Sequence, residues 1–109
     1  MAYDEELSER IRAHLEGEPG LSEKRMFGGI AFLINGNMAC GVNKTDLIVR
    51  IDPGTHADVL AEPGAREFDL SARPMKGWVS VDAAGYGSDA DFGRWVERGV
   101  GFARGLPPK

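Results

Sequence analysis

Hydrophobic residues recur along the chain with two different periods, and the switches between them divide it into elements. Leu7, Ile11 and Leu15 fall at helical spacing after Asp4, which can cap the first turn while Glu5 and Glu6 suit the positive end of the helix dipole. Gly17 and Pro19 stop this helix, and Glu6 and Arg10 lie four apart in the orientation that favours an ion pair. After the turn at 18–20, Lys24 to Phe27 reads as extended backbone, and a hairpin follows. Its turn is Asn35-Gly36, a pair that accepts the two positive φ angles of a type I′ turn. That turn sets Ile34 opposite Asn37, Leu33 opposite Met38, Phe32 opposite Ala39 and Ala31 opposite Cys40. One face of the hairpin then holds Ile30, Phe32 and Ile34, and the other holds Leu33, Met38 and Cys40. A sheet with one wet face would alternate instead. The pattern asks for a layer on each side, or for a partner on one.

Asp46 to Ile51 supplies the next strand, ended by Pro53-Gly54. A short helix begins at Thr55, spaced with Asp58 as a capping box, and Pro63-Gly64 closes it. Arg66 to Leu70 is a short strand. Met75 to Val81 is another, with Met75, Val79 and Val81 on one face and Lys76, Trp78 and Ser80 on the other. Gly85 and Gly87 mark a turn. The last helix starts at Ser88 and Asp91 and carries an apolar stripe through Phe92, Trp95, Val96, Gly99, Phe102, Ala103 and Leu106. Gly93, Gly99 and Gly101 lie within it, each costing about 1 kcal/mol against alanine, so a close approach of the helix backbone to another element is expected. Pro107, Pro108 and Lys109 read as a frayed tail. The order α-β-β-β-α-β-β-α predicts an α+β fold: one domain over residues 1–109, with an antiparallel sheet of about five strands and packed helices.

Composition sharpens this only in places. Hydrophobic residues at 42% and charged residues at 28% are ordinary for a globular chain. Thirteen basic against seventeen acidic residues give a net charge of -4, which argues against nucleic acid as the default partner. The acids crowd the N-terminal helix, however, while Arg73 and Lys76 lie in a stretch free of acids between Asp69 and Asp82. The acidic N-terminus is unlike an export signal, Ile30 to Ile34 is too short to span a bilayer, and one cysteine makes no internal disulfide. A cytoplasmic protein without membrane attachment is expected.

Candidate chemistry is sparse. Cys40 would need a base, and only His14 and His56 offer imidazole; a buried strand cysteine behaves as a small hydrophobe. These three residues share no metal-ligand spacing. Asp89 and Asp91 fit a helix's first turn as caps. Gly28-Gly29 could cradle an anion, but no helix begins there, and a bulge or close crossing accounts for the pair. The sequence therefore predicts no catalytic residue, no metal and no cofactor, and gives Gly28, Gly29, Asn35, Gly36 and Gly77 structural roles. Arg73, Lys76 and Trp78 remain as candidate interaction residues, two cations beside an aromatic ring. The plainer account of that segment is a strand entry, with Pro74 fixing the approach, Gly77 allowing close contact and Trp78 packed under a helix.

Arg25-Met26-Phe27-Gly28-Gly29, then Asn35-Gly36, then Arg73-Pro74-Met75-Lys76-Gly77-Trp78, in this order and spacing, resemble the N-terminal domain of the TfoX/Sxy family over roughly Ser22 to Val100. The resemblance implies an α+β fold similar to secretion-chaperone-like sandwiches. The family takes its name from regulators of competence for DNA uptake, which carry a second, helical C-terminal domain and act with the cyclic-AMP receptor protein at promoters. This chain ends at Lys109, just after its last helix, so the resemblance implies a single-domain relative. No catalytic residue is established in the family, and none is implied here. The resulting expectation is a cytoplasmic, non-enzymatic protein-interaction module with a protein partner, self-associating as a homodimer. A nucleic-acid-binding regulatory domain using Arg73 to Trp78 is the alternative. An enzyme built on Cys40, or on a small pocket near Trp78, is the third reading.

Overall fold

Alternation of apolar and polar residues along the strands is resolved by one antiparallel sheet. The computed structural model describes residues 3–26, 28–69 and 74–108. Helix α1 (Glu5–His14) precedes strands β1 (Leu21–Met26), β2 (Gly29–Ile34), β3 (Asn37–Asn43) and β4 (Asp46–Arg50). A 3-10 turn (Pro53–Thr55) leads into α2 (His56–Leu60), followed by β5 (Ala65–Asp69), β6 (Pro74–Val81), α3 (Ala83–Tyr86) and α4 (Asp89–Arg104). The sheet order is β1-β2-β3-β4-β6-β5, and every neighbouring pair is antiparallel. The α+β class and the order of elements agree with the sequence, but the sheet has six strands where about five were expected.

The additional strand is β1. It pairs with β2 from Leu21 opposite Ile34 to Met26 opposite Gly29. As an edge strand it carries Glu23, Lys24 and Arg25 in place of a clean alternation; charge at an edge discourages pairing with other chains. Phe27, which the sequence placed in extended backbone, and Leu70, which it placed in a strand, lie outside the described residues. The turn expected at Gly85 is the helix α3. Asp82 caps it by accepting the Ala84 N–H at 3.0 Å, and a Cβ at Gly85 would stand 2.6 Å from the Pro63 carbonyl oxygen.

The hairpin departs from the expected register after two pairs. Asn35 and Gly36 take φ of 52° and 85°, the two positive values a type I′ turn needs. Ile34 opposes Asn37 and Leu33 opposes Met38, but Phe32 then opposes Cys40 and Ala31 opposes Gly41. Ala39 is one extra residue on β3, a β-bulge. Cys40 therefore joins Ile30, Phe32 and Ile34 in the main core and does not share a face with Met38. An alternation rule assumes an unbroken ladder, and one inserted residue reverses every face beyond it.

Two caps agree with the sequence. Asp4 accepts the Leu7 N–H at 3.1 Å, and Ser88 accepts the Asp91 N–H at 3.1 Å. The third does not: Thr55 makes no cap to α2 and donates its hydroxyl to the Asp52 carbonyl at 2.8 Å. The 3-10 turn starts two residues earlier than the expected helix, so Asp52 becomes the cap, accepting the Gly54 N–H at 2.9 Å. Arg10 pairs with Asp89 at 3.4 Å and lies 4.2 Å from the Phe92 ring centre, leaving Glu6 exposed. The C-terminal residues are also anchored where fraying was expected, because buried Asn37 donates its amide to the Pro107 carbonyl at 2.8 Å.

Apolar residues of α1, α2, α3 and α4 all belong to a single large cluster on one face of the sheet, around fully buried Phe32, Leu47, Val49 and Trp95. Trp95 satisfies its indole N–H on the Gly85 carbonyl at 3.1 Å. Ala31, Met38, Ile48 and Phe68, joined by Leu33 and Trp78, form a second cluster on the opposite face, and all six come from strands. The glycines of α4 differ in the approach the sequence promised: a Cβ at Gly99 would collide with the Ala39 carbonyl oxygen and one at Gly93 would stand 3.3 Å from the His14 ring, whereas one at Gly101 would meet nothing within 4 Å. Gly99→Ala should therefore destabilise the fold by about 1–3 kcal/mol through overpacking, while Gly101→Ala should stabilise it by roughly 0.5–1 kcal/mol through helix propensity. Urea denaturation of the two variants measures both, and equal effects of the same sign would contradict the packing described.

Candidate functional site

Trp78 stands on the face of the sheet opposite the helices described, part-buried against the second cluster, and not under one of those helices as the plainer sequence account had it. It lies directly across from Arg50 on β4, whose guanidinium carbon is 5.1 Å from the Trp78 ring centre and 5.4 Å from that of Phe102, within cation–π range of both. Arg73, the first of the expected trio, lies outside the described residues. Lys76 lies in β6, and its side chain is outside the described ones. The cation beside the Trp78 ring in the structure is Arg50, which the sequence could not nominate because the pairing is long-range.

Gly77 holds this corner together. Its φ is 91°, a backbone angle that a residue with a Cβ rarely adopts. Its carbonyl accepts the Ile51 N–H at 2.8 Å, and its N–H donates to His56 Nδ1 at 3.1 Å. The other ring nitrogen, Nε2, is 2.5 Å from Glu67 Oε1. His56 thus ties the first residue of α2 to both β5 and β6. Sequence reasoning had weighed His56 only as a partner for Cys40 or a metal; the one local hint was its position at a helix start facing a strand glycine.

Register also sorts charge. A row crosses the whole sheet through Lys24, Ala31, Gly41, Ile48, Ser80 and Arg66. With Arg50 on the same face, the described strand residues there carry three cations and one acid, Asp46, which accepts from Arg66 at 2.6 Å and from the Ser80 hydroxyl at 3.0 Å. The open face is cationic in a chain of net charge -4.

The remaining candidates serve structure. Gly28 has φ of 75° in the turn before β2, and a Cβ at Gly29 would collide with the Val42 carbonyl, which is the close crossing anticipated there. Cys40 is fully buried; burial, with Glu97 adding to it, pushes its thiol up to about 12. Neither imidazole serves it, since His14 Nε2 is 3.0 Å from Glu97 and His56 is engaged as above. Among the described residues no three His, Cys, Asp or Glu side chains gather as a metal site, and no helix is long and apolar enough to cross a membrane. A cleft of about 400 Å³ opens between the 3-10 turn, α2 and α4 and is lined by Ile51, Asp52, Val59, Arg98 and Phe102, away from Trp78.

The sequence model of the TfoX N-terminal domain matches residues 13–103. The chain belongs to the TfoX N-terminal domain family. It is a domain of the competence-regulator type, and the match covers the sheet, α2, α3 and nearly all of α4. No curated protein matches it. The segments that carry the resemblance fall, in this TfoX domain, on the β1–β2 turn, the β2–β3 turn and the β5–β6 region around Gly77.

The state of Cys40 gives a direct check. A thiolate is the reactive form, so a thiol pushed to about 12 should be inert at pH 8. Iodoacetamide should leave the folded domain unmodified over hours and alkylate it readily in denaturant. Rapid alkylation of the folded protein would restore Cys40 as a candidate nucleophile.

Proposed function

We propose that this TfoX domain is a non-enzymatic, cytoplasmic protein-interaction module that binds an acidic, amphipathic segment of a partner protein on its open sheet face. The observation that carries the reading is the asymmetry of the layers. Every helix contributes to the core on one side, and among the described residues the cluster on the other side is built from strand side chains, with Leu33 and Trp78 part-exposed. Trp and Arg are the residue types that most often dominate binding energy, and Trp78 with Arg50 supplies both at one point. Lys24, Arg50 and Arg66 against Asp46 favour an acidic partner. The same cations support a second reading, a nucleic-acid-binding regulatory domain, in which phosphates replace carboxylates.

Fluorescence anisotropy separates these. The probes are a labelled peptide with leucine and phenylalanine flanked by glutamates, and a labelled single-stranded oligonucleotide. Peptide binding that weakens with salt should fall by about tenfold in Trp78→Ala, roughly 1.4 kcal/mol, and also in a Lys24→Glu/Arg66→Glu variant. Binding of the oligonucleotide in place of the peptide would support the second reading. A mass that doubles with concentration in sedimentation, and is lost in Trp78→Ala, would make the occupant a second copy. Failure of all three would overturn the face as a binding site.

A further inference from the structure

We infer that His56 is a proton-sensitive latch on the β6 strand, holding Gly77 when neutral and releasing it when protonated. The ring's state follows from its partners. A backbone N–H can only donate, so the 3.1 Å bond from Gly77 requires the lone pair at Nδ1. The single ring proton then sits at Nε2 and is donated to Glu67 Oε1, 2.5 Å away. The imidazole side chain is only 11% exposed, so neither contact is readily replaced by water.

A second proton must go to Nδ1. There it meets the Gly77 N–H, donor against donor, and that hydrogen bond is lost. At Nε2 the hydrogen bond to the Glu67 carboxylate, until then charged on the acceptor side only, becomes an ion pair. The two contacts pull in opposite directions: Glu67 keeps the imidazolium once formed, and Gly77 is the partner given up. The elements packed on α2 are β5, β6 and the 3-10 turn. Of their charged residues, Glu67 on β5 touches the ring, Arg66 on β5 is paired with Asp46, and Asp52 ahead of the 3-10 turn is committed to the Gly54 N–H. Asp58 lies on the helix itself, and Lys76 precedes Gly77 in β6. Glu67 is the charge in direct contact.

What the latch controls is the corner described above. Gly77 sits at a left-handed φ between Ile51 and Pro53, immediately before Trp78. Freed of His56, the buried Gly77 N–H is left without its acceptor, and the β6 backbone entering Trp78 loses its tie to α2. Histidine as a class changes charge between pH 5 and 8, and that is the range over which the latch is tested. The latch is a property of α2, β5 and β6, and it stands whatever docks on the sheet.

Nuclear magnetic resonance from pH 8 to pH 5 tests it. At pH 8 the His56 nitrogen shifts should show the proton on Nε2. Through the ring's titration, the Gly77 amide protection factor, corrected for intrinsic exchange, should drop about tenfold, the equivalent of one net hydrogen bond. His56→Asn, which keeps a side-chain acceptor and cannot titrate, should hold Gly77 protection constant with pH. Glu67→Gln removes the charge that favours the imidazolium and should move the transition to lower pH. The inference is overturned if the ring titrates without change at Gly77, if the ring does not titrate in this range, or if Gly77 loses protection equally in His56→Asn.

Discussion

The contact between the backbone of α4 and the bulge in β3 sets the position of nearly everything else. At Ala39 the strand carries one residue too many, and Ala39 and Cys40 both enter the main core. The Ala39 carbonyl faces α4 at the residue without a side chain, Gly99, and Val49 on the next strand closes the same contact. Strands β3 and β4 are the central pair of the sheet. Seating the longest helix this closely on the middle of the sheet brings Trp95, Val96, Val100 and Ala103 into the core. A helix held farther off would leave voids along that whole row, and interiors tolerate few. The glycine that weakens α4 as a helix is thus what permits it to pack.

Ion pairs then fasten the helical layer to its surroundings. Arg12 of α1 holds the Glu23 carboxylate of β1 below its ordinary range, and Arg104 does the same for Glu18 in the turn ahead of β1. Burial pushes Glu62 up, but hydrogen bonds from Arg94 and Arg98 of α4 outweigh it and leave the carboxylate lowered. On the helical side, therefore, these arginines answer carboxylates of the same chain. On the open face Arg66 engages Asp46, Arg50 stacks against Trp78, and Lys24 lies on the outer strand β1.

Local signals in the sequence identified most of the elements and missed what depends on distant pairing. The Asn35-Gly36 turn, the caps at Asp4 and Ser88 and the stripe of α4 each follow from residues a few positions apart, and the structure contains all of them. The bulge at Ala39 leaves no such signature, because Met38, Ala39, Cys40 and Val42 are all acceptable in a strand whichever way they face. Strand β1 was hidden for a related reason: its stability comes from backbone bonds to β2, and its Glu23, Lys24 and Arg25 obey the chemistry of an edge. At the candidate site, Trp78 and Gly77 were visible because aromatic and glycine residues stand out. Arg50 and His56 lie about 20 to 30 residues away in sequence and reach them only through the β4–β6 ladder and the start of α2.

That difference bears on what kind of site this is. A catalytic centre needs groups whose protonation or nucleophilicity is tuned, and the most obvious such group in the sequence, Cys40, is tuned away from reactivity by its place in the core. What the fold assembles at Gly77 is geometry: a left-handed backbone angle fixed by Ile51 and His56, which fixes the parity of β6 so that Val79 and Val81 enter the core and Trp78 faces outward beside Arg50. If Gly77 relaxed to an ordinary strand angle, its bonds to Ile51 and His56 would break together and the start of β6 would lose its support. The corner is a matter of fixed geometry and placed charge, and His56 braces it by joining Gly77 on one side to Glu67 on the other.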